Sequence, residues 1–140
     1  MVDYICTCEN LDAYKLPHFF KGWPNPPSEE MHKKLLNKST YIWLAVDPDV
    51  KRVVGFINAL SDETLTAYIP LLEVAEDYQG QGIGKCLVEK MFETLGGHYM
   101  IDIVCDDALV SFYEKLDMNR TCGMVVRHYE NQSGIAGDDF

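Results

Sequence analysis

Three glycines fall within five positions of one another in the run Gly80-Gln81-Gly82-Ile83-Gly84. The run joins a strand-like segment, residues 65–74, to a helical pattern whose apolar residues recur on one face from 83 to 95. Glycine leaves backbone N–H groups unshielded, and a helix N-terminus adds unpaired donors and partial positive charge. The junction therefore predicts a phosphate or pyrophosphate site, to which Lys85 adds a cation. A turn with a purely structural role is the alternative.

Two common nucleotide-binding motifs fit this turn poorly. The run lacks the full dinucleotide fingerprint, and no P-loop Gly-Lys-Ser/Thr follows it. Residues 40–46, 52–60 and 65–74 predict three consecutive strands joined by short turns, which is a meander rather than a βαβ unit. Pro70 lies inside the third of these strands, so an edge, a bulge or a break is expected there.

The other segments of the chain predict the remaining strands and the helices that cover the sheet. In chain order they are a strand (2–8), two short helical pieces divided by Pro17 (11–21), a helix capped by Ser28, a strand (99–104), a helix capped by Asp106 or Asp107, and a strand (121–129). The predicted fold class is α+β, with helices against a largely antiparallel sheet. We expect one domain over residues 1–130 and a mobile tail over 131–140.

The composition narrows the class of protein. A chain of 140 residues with 47% hydrophobic content fits one domain with a real core, and the start shows no signal-peptide pattern. The net charge of −10 argues against broad binding to nucleic acid and against anionic membranes. The five cysteines are odd in number and match no disulfide framework, so we expect free thiols and a cytoplasmic protein. Cys6 and Cys8 lack the partners of a zinc site, and we expect no metal.

Two motifs at suitable separation resemble those of the GNAT superfamily of N-acetyltransferases. Gln79, Gly82 and Gly84 match its acetyl-CoA motif, Gln/Arg-x-x-Gly-x-Gly/Ala. The run Phe112-Tyr113-Glu114-Lys115-Leu116 is similar to the signature on the last helix of that family. The resemblance covers about residues 40–129. It implies that acetyl-CoA is the acyl donor and that the residues binding it are Leu72, Val74, Gln79, Gly80, Gln81, Gly82, Ile83, Gly84, Lys85 and Asp106.

The resemblance also implies a particular sheet. The strands 65–74 and 99–104 should separate in a V-shaped split that holds the pantetheine arm of acetyl-CoA. The family has a bulge in the first of these strands, which would accommodate Pro70. The chain departs from the family pattern at two positions. Asp106 stands where the family often has Asn, and Asp117 replaces a glycine, although Asp tolerates a left-handed turn better than most residues.

The resemblance implies direct attack of an amine on the thioester in a ternary complex. Tyr113 occupies the position of the family's general acid, which protonates the departing thiolate. The backbone N–H near Val74 is our candidate for holding the carbonyl oxygen as it gains charge. Glu73 is our candidate base, because it is the only carboxylate in its predicted strand. Glu63, Asp102 and bulk water are the alternatives.

The acceptor is not identified by the sequence. A small-molecule amine, a protein N-terminus and a lysine all stay open, as does a homodimer. Trp23, in a proline-rich loop, is our candidate for lining the acceptor pocket, with Phe19 and Phe20 as further candidates, whereas Tyr41 and Trp43 are expected in the core. The four histidines show no catalytic spacing and are expected mostly at the surface. The alternative function is a catalytically silent domain of the same fold that binds acyl-CoA as a sensor or regulator.

Overall fold

A computed structural model describes residues 1–135 and contains one five-stranded sheet in the order β1-β2-β3-β4-β5. All neighbouring strands are antiparallel except β4 and β5, which are parallel. The mixed, mostly antiparallel sheet with helices on both faces confirms the α+β class. The strands are β1 (Asp3–Ile5), β2 (Tyr41–Asp47), β3 (Arg52–Ser61), β4 (Thr66–Val74) and β5 (Met100–Ile103).

The helices begin and end close to where the sequence signals lie. The Ser28 side chain caps the first helix as predicted, because its Oγ accepts the N–H of Met31 at 3.1 Å. The α-helices are α1 (Glu29–Lys38), α2 (Ile83–Thr94) and α3 (Val110–Glu114), and short 3-10 turns occur at Leu11–Ala13, Glu76–Tyr78, Asp107–Leu109 and Tyr129–Asn131.

Each face of the sheet carries its own apolar core. On one face, Ile57 and Ile69 pack with Leu87 and Met91 of α2. On the other face, Phe56 packs with residues of α1 and of the loop that precedes it. Side chains alternate between the two faces of a strand, so the neighbours Phe56 and Ile57 enter different cores. The sheet is thereby held as a fixed layer between α1 on one side and α2 with α3 on the other.

The register of β4 changes at Pro70. Asn58 of β3 faces Leu71, but Leu60 faces Tyr68, so β4 has one residue more than β3 between these pairs. The Asn58 Oδ1 accepts the N–H of Leu71 at 3.1 Å, which satisfies a backbone donor that the irregular ladder would leave unpaired. Pairing between β4 and β5 ends at Ile69, just before this bulge. The expected bulge and the split between the two strands are therefore both confirmed.

Three sequence predictions for local structure were wrong. No strand forms at 121–129, and Met124 is 99% exposed there, because the apolar run finds no partner among residues 1–135. The segment 11–21 contains the single 3-10 turn Leu11–Ala13 instead of two helical pieces. The first strand covers three residues rather than the predicted 2–8.

The extent of the domain and its tail stays a prediction. Among the residues predicted as a tail, Gln132 contacts the body of the protein through its side-chain oxygen, which accepts the N–H of Asn25 at 2.8 Å. The final residues 136–140 lie outside the described part of the chain. All five cysteines are free thiols. Within residues 1–135, no helix is long and apolar enough to cross a bilayer.

His32 is the one buried residue among the four histidines, which were expected mostly at the surface. Its side chain is 2% exposed and makes edge-on contacts with the rings of Phe19, Phe20 and Phe56. The Nε2 atom has no hydrogen-bond partner in the described structure. Burial lowers the pKa of His32 to about 4, because the charged imidazolium would lose its hydration.

We expect this burial to make the protein sensitive to mild acid. In the unfolded chain His32 takes up a proton near pH 6.5, whereas in the folded protein it does so near pH 4. The unfolded state therefore binds more protons between these values, so the free energy of unfolding should fall as pH drops through that window, by about 3 kcal/mol. Urea unfolding of wild type and of His32→Leu, from pH 7.5 to 4, measures it. An equal loss in both proteins would contradict this role of His32.

Candidate active site

The glycine turn forms an open cradle at the start of α2. Gly80 and Gly82 have φ of 79° and 80°, in the left-handed region that favours glycine. No described atom lies within 4 Å of where a Cβ would stand on either residue, so a ligand can approach the backbone closely. Gly82 caps α2 without a side chain, which leaves the first N–H groups of the helix to an outside acceptor. This arrangement fits the pyrophosphate of a CoA ester.

Two residues near the end of β4 direct their backbone N–H groups toward the split. The Ala75 N–H donates to the Val54 carbonyl of β3 at 2.8 Å, and the Leu71 N–H also points to β3. Because the amides of successive strand residues point to opposite edges, the N–H groups of Leu72 and Val74 face away from β3, into the split. Both are residues that the sequence assigned to the cofactor. They are suitably directed to pair with an extended pantetheine arm.

Two further contacts join the glycine turn to β4 and α3. The Gln79 Nε2 donates to the Val74 carbonyl at 3.0 Å, so this side chain closes the loop between β4 and α2. A Cβ on Gly84 would lie 3.7 Å from Val74 Cγ2 and 3.8 Å from Phe112 Cζ, in ordinary contact. The two motifs recognised in the sequence are therefore neighbours in space. The predicted left-handed residue after α3 is confirmed, since Asp117 has a φ of 67°.

A cavity of about 310 Å³ lies at the point where β4 and β5 separate. Its walls bring together Glu73 and Tyr113, the two predicted catalytic residues, with Leu72 and Asp106. The aromatic side of the cavity contains Trp23, which the sequence had assigned to the acceptor pocket, together with Phe20. Gln81, Ile83 and Lys85 belong instead to the glycine turn and the first turn of α2, outside this cavity. The exposed Lys85 ammonium lies 3.8 Å from the carboxylate of Glu89.

Tyr113 presents a protonated phenol to the cavity. The residue is 6% exposed, and its ring makes an edge-on contact with Phe112. Burial, with a smaller contribution from the nearby Cys105, raises the pKa of Tyr113 to about 12. The hydroxyl makes no hydrogen bond within the described part of the chain, so its proton is available to a ligand in the cavity.

Glu73 links the cavity to the loop that carries Trp23. Its Oε1 accepts the N–H of Phe20 at 2.8 Å, and the Lys21 N–H also donates to the carboxylate. Burial raises the pKa of Glu73 above its usual value, while these donors and the Lys21 charge oppose the rise. A carboxylate has about four lone-pair positions, so Glu73 can hold the loop and still accept a proton from a ligand.

Of Glu63, Asp102 and the predicted helix cap Asp106, only Asp106 lines the cavity. Neither Glu63 nor Asp102 is among the residues that line the cavity. Asp106 precedes the 3-10 turn that leads into α3, but its side chain makes no capping hydrogen bond within residues 1–135. It lies at the cavity wall, where the sequence placed a contact to the cofactor.

Sequence reasoning missed two residues of this region. Asn58 supports the bulge at Pro70, and its signal was a polar side chain inside the apolar strand 52–60. Arg127 reaches the cavity wall from the segment that was predicted to be a strand. Nothing in the local pattern around Arg127 distinguished it from an ordinary surface arginine.

Comparison with known proteins places the chain in a family. Residues 8–118 match the Acetyltransferase (GNAT) family. The uncharacterized N-acetyltransferase ycf52 of Pyropia yezoensis is 30% identical over 118 residues, which cover 81% of this chain and 68% of that protein. The probable acetyltransferase TAP2 of Glycine max is 32% identical over 120 residues, 76% of this chain and 48% of TAP2. The chain thus spans about half the length of this soybean relative.

A solved structure of a similar protein supports membership of the same family. A protein of Deinococcus radiodurans R1, provisionally designated an acetyltransferase, is 42% identical and superimposes with a TM-score of 0.91. The match covers 97% of this chain and 94% of that one, so it includes the turn, the split and the cavity. Taken with the sequence matches, it shows that the chain belongs to the GNAT family of acetyltransferases.

Proposed function

We propose that the protein transfers the acetyl group of acetyl-CoA to a primary amine within a ternary complex. The observation that carries this proposal is the shared cavity of Glu73 and Tyr113, at the point where β4 and β5 separate. A base and an acid on opposite sides of one reacting centre suit an aminolysis, in which nitrogen loses protons and sulfur gains one. A domain that only binds acyl-CoA would not need either group.

The chain offers three kinds of contact to the donor. Backbone N–H groups from Gly80 to Gly84 would hold the pyrophosphate, and the Leu72 N–H, which faces the split, would pair with the pantetheine arm. The Val74 N–H would also stabilise the carbonyl oxygen as it gains negative charge. Acetyl-CoA supplies the thioester carbon, to which the amine nitrogen bonds as the carbon–sulfur bond breaks.

The protein residues move the protons of this reaction. Glu73 accepts a proton from the acceptor ammonium, which frees the lone pair of the nitrogen for attack. Tyr113 donates its proton to the departing sulfur. The nitrogen loses two protons in total: one is released to solvent through Glu73, and the other, lost after the attack, reprotonates the Tyr113 phenolate.

We expect Glu73→Gln to lower kcat by roughly 10²–10³, within the usual range for a positioned base. Glutamine retains an oxygen that can accept the Phe20 N–H, so the loop should stay in place. In the wild type, activity should fall as pH drops through the pKa of Glu73, which burial places above the usual glutamate range. This acidic limb of the kcat profile should disappear in the variant.

Glu76→Gln is the matched control, because it removes the same charge at a residue that does not line the cavity. Its carboxylate is exposed and pairs with Lys21 at 2.9 Å. If Glu73→Gln retained the acidic limb and most of the turnover, another group or bulk water would be the base.

The proposal also includes the class of acceptor amine and the cellular compartment. A small molecule, a protein N-terminus or a lysine remains the acceptor class, and five free thiols favour a reducing compartment such as the cytoplasm. Release of free CoA thiol in the presence of a panel of amines tests the proposed reaction directly.

A further inference from the structure

Residues 119–128 form a segment without regular secondary structure that we call the strap. At its start, the Arg120 Nη2 lies 3.2 Å from the Asp107 Oδ1, beside the entry to α3. Beyond its far end, the side chain of Gln132 accepts the N–H of Asn25 at 2.8 Å. The strap is therefore attached on both sides of the split, to the β5–α3 connection and to the proline-rich loop.

Arg127 lies on the strap and lines the same cavity as Glu73 and Tyr113. Its guanidinium makes no ion pair or hydrogen bond with any residue from 1 to 135. Asp106 also lines the cavity, and no ion pair joins it to Arg127 in the described part of the chain. Arginine carries five N–H donors in a rigid fork, so a strong anion-binding group remains available at the cavity.

The charges around the cavity describe a particular kind of acceptor. The carboxylate of Glu73 favours an ammonium group, and the guanidinium of Arg127 favours an anionic group on the same molecule. Arginine forms two parallel hydrogen bonds with a carboxylate or a phosphate, and these charge-assisted bonds are about twice as strong as neutral ones. A cavity of about 310 Å³ has room for a small acceptor.

We infer that Arg127 determines acceptor specificity by binding a carboxylate or phosphate group on a small amine acceptor. The acceptor then resembles an amino acid or an aminoalkyl phosphate, with its ammonium at Glu73 and its anion at Arg127. This inference rests on the proposed acetyl transfer and names the class of amine that the reaction uses. The strap places Arg127 at the cavity, so acceptor recognition depends on a segment without regular secondary structure.

The experiment compares acceptors in pairs that differ in the anionic group. Phenylalanine is compared with 2-phenylethylamine, and O-phosphoethanolamine with ethanolamine. The wild type should have a kcat/KM at least about 10-fold higher for the anionic member of one pair, and the pair identifies carboxylate or phosphate as the source. Arg127→Gln should remove this preference by raising KM about 10-fold for that acceptor, with no loss for the amine that lacks the anionic group. Arg127→Lys should restore part of it, because the charge is kept and the fork is lost.

Lys34→Gln controls for the change in net charge, since Lys34 is exposed on α1 and does not line the cavity. Isothermal titration with acetyl-CoA should give the same Kd for the wild type and Arg127→Gln. A weaker Kd would assign Arg127 to the phosphates of CoA and overturn the inference. If the protein acetylated 2-phenylethylamine or ethanolamine as well as the anionic member of each pair, the inference would be overturned and acetyl transfer would still stand. Absence of turnover with every amine would remove both.

Discussion

Tyr113→Phe is expected to reduce kcat by roughly 10²–10⁴, the usual range for a positioned acid. The substitution keeps the buried ring and its edge-on contact with Phe112 but removes the proton donor. The lost interaction belongs to the transition state, so the Kd for acetyl-CoA should change little. Steady-state kinetics on an active acceptor, with calorimetric titration of acetyl-CoA, separates the two effects.

The pH dependence of this variant provides a second test. Burial raises the pKa of Tyr113 to about 12, so the phenol stays protonated across the whole range in which the enzyme can be assayed. Deprotonation of Tyr113 should therefore cause no loss of wild-type activity below about pH 10. The expectation would be wrong if Tyr113→Phe turned over at the wild-type rate, because Tyr113 would then serve only to pack α3 against the sheet.

Gly82→Glu is expected to abolish binding of acetyl-CoA. Glutamate would place a negative charge in the proposed pyrophosphate cradle, at a residue whose φ of 80° also disfavours any side chain. Gly82→Ala introduces the conformational strain without the charge, and it should weaken binding much less. Calorimetric titration of both variants with acetyl-CoA, together with their melting temperatures, distinguishes lost binding from lost folding.

Gly97→Glu is the matched control for this experiment. Gly97 is exposed beyond the C-terminal end of α2, and no described atom lies within 4 Å of its Cβ position. The substitution adds the same charge at the opposite end of the same helix. If Gly82→Glu bound acetyl-CoA as tightly as Gly97→Glu, the glycine turn would not be the phosphate site.

The sequence contained enough local information to predict most of the sheet and the position of the site. The strands β2 to β5 and helix α2 follow from alternating or helical apolar patterns, and they lie within one residue or so of the expected bounds. Ser28 and Asp117 were read correctly because capping and left-handed turns depend on a few neighbouring atoms. Tyr113 was chosen from a resemblance of motifs, and Glu73 because it is the only carboxylate in its predicted strand, so neither choice followed from hydrophobic periodicity.

The errors concern features that depend on distant partners. An apolar, β-branched run such as 121–129 becomes a strand only if an edge is available to pair with it, and sequence periodicity does not supply that partner. The burial of His32 results from three phenylalanine rings that meet in space, one of them on β3. The position of Arg127 at the cavity also depends on distant partners, because the strap is attached at its two ends to other parts of the chain.

The central claim is that this chain transfers acetyl from acetyl-CoA to an amine, and acceptor-dependent release of free thiol measures it most directly. Purified protein is mixed with acetyl-CoA and a panel of amines that includes amino acids, aminoalkyl phosphates, alkylamines without an anionic group, and peptides. We predict that at least one amine accelerates thiol release well above the rate without acceptor, and that its N-acetylated product is detected by mass spectrometry. Tight binding of acetyl-CoA with no acceptor-dependent release from any amine would contradict the proposal and favour a sensor of acyl-CoA.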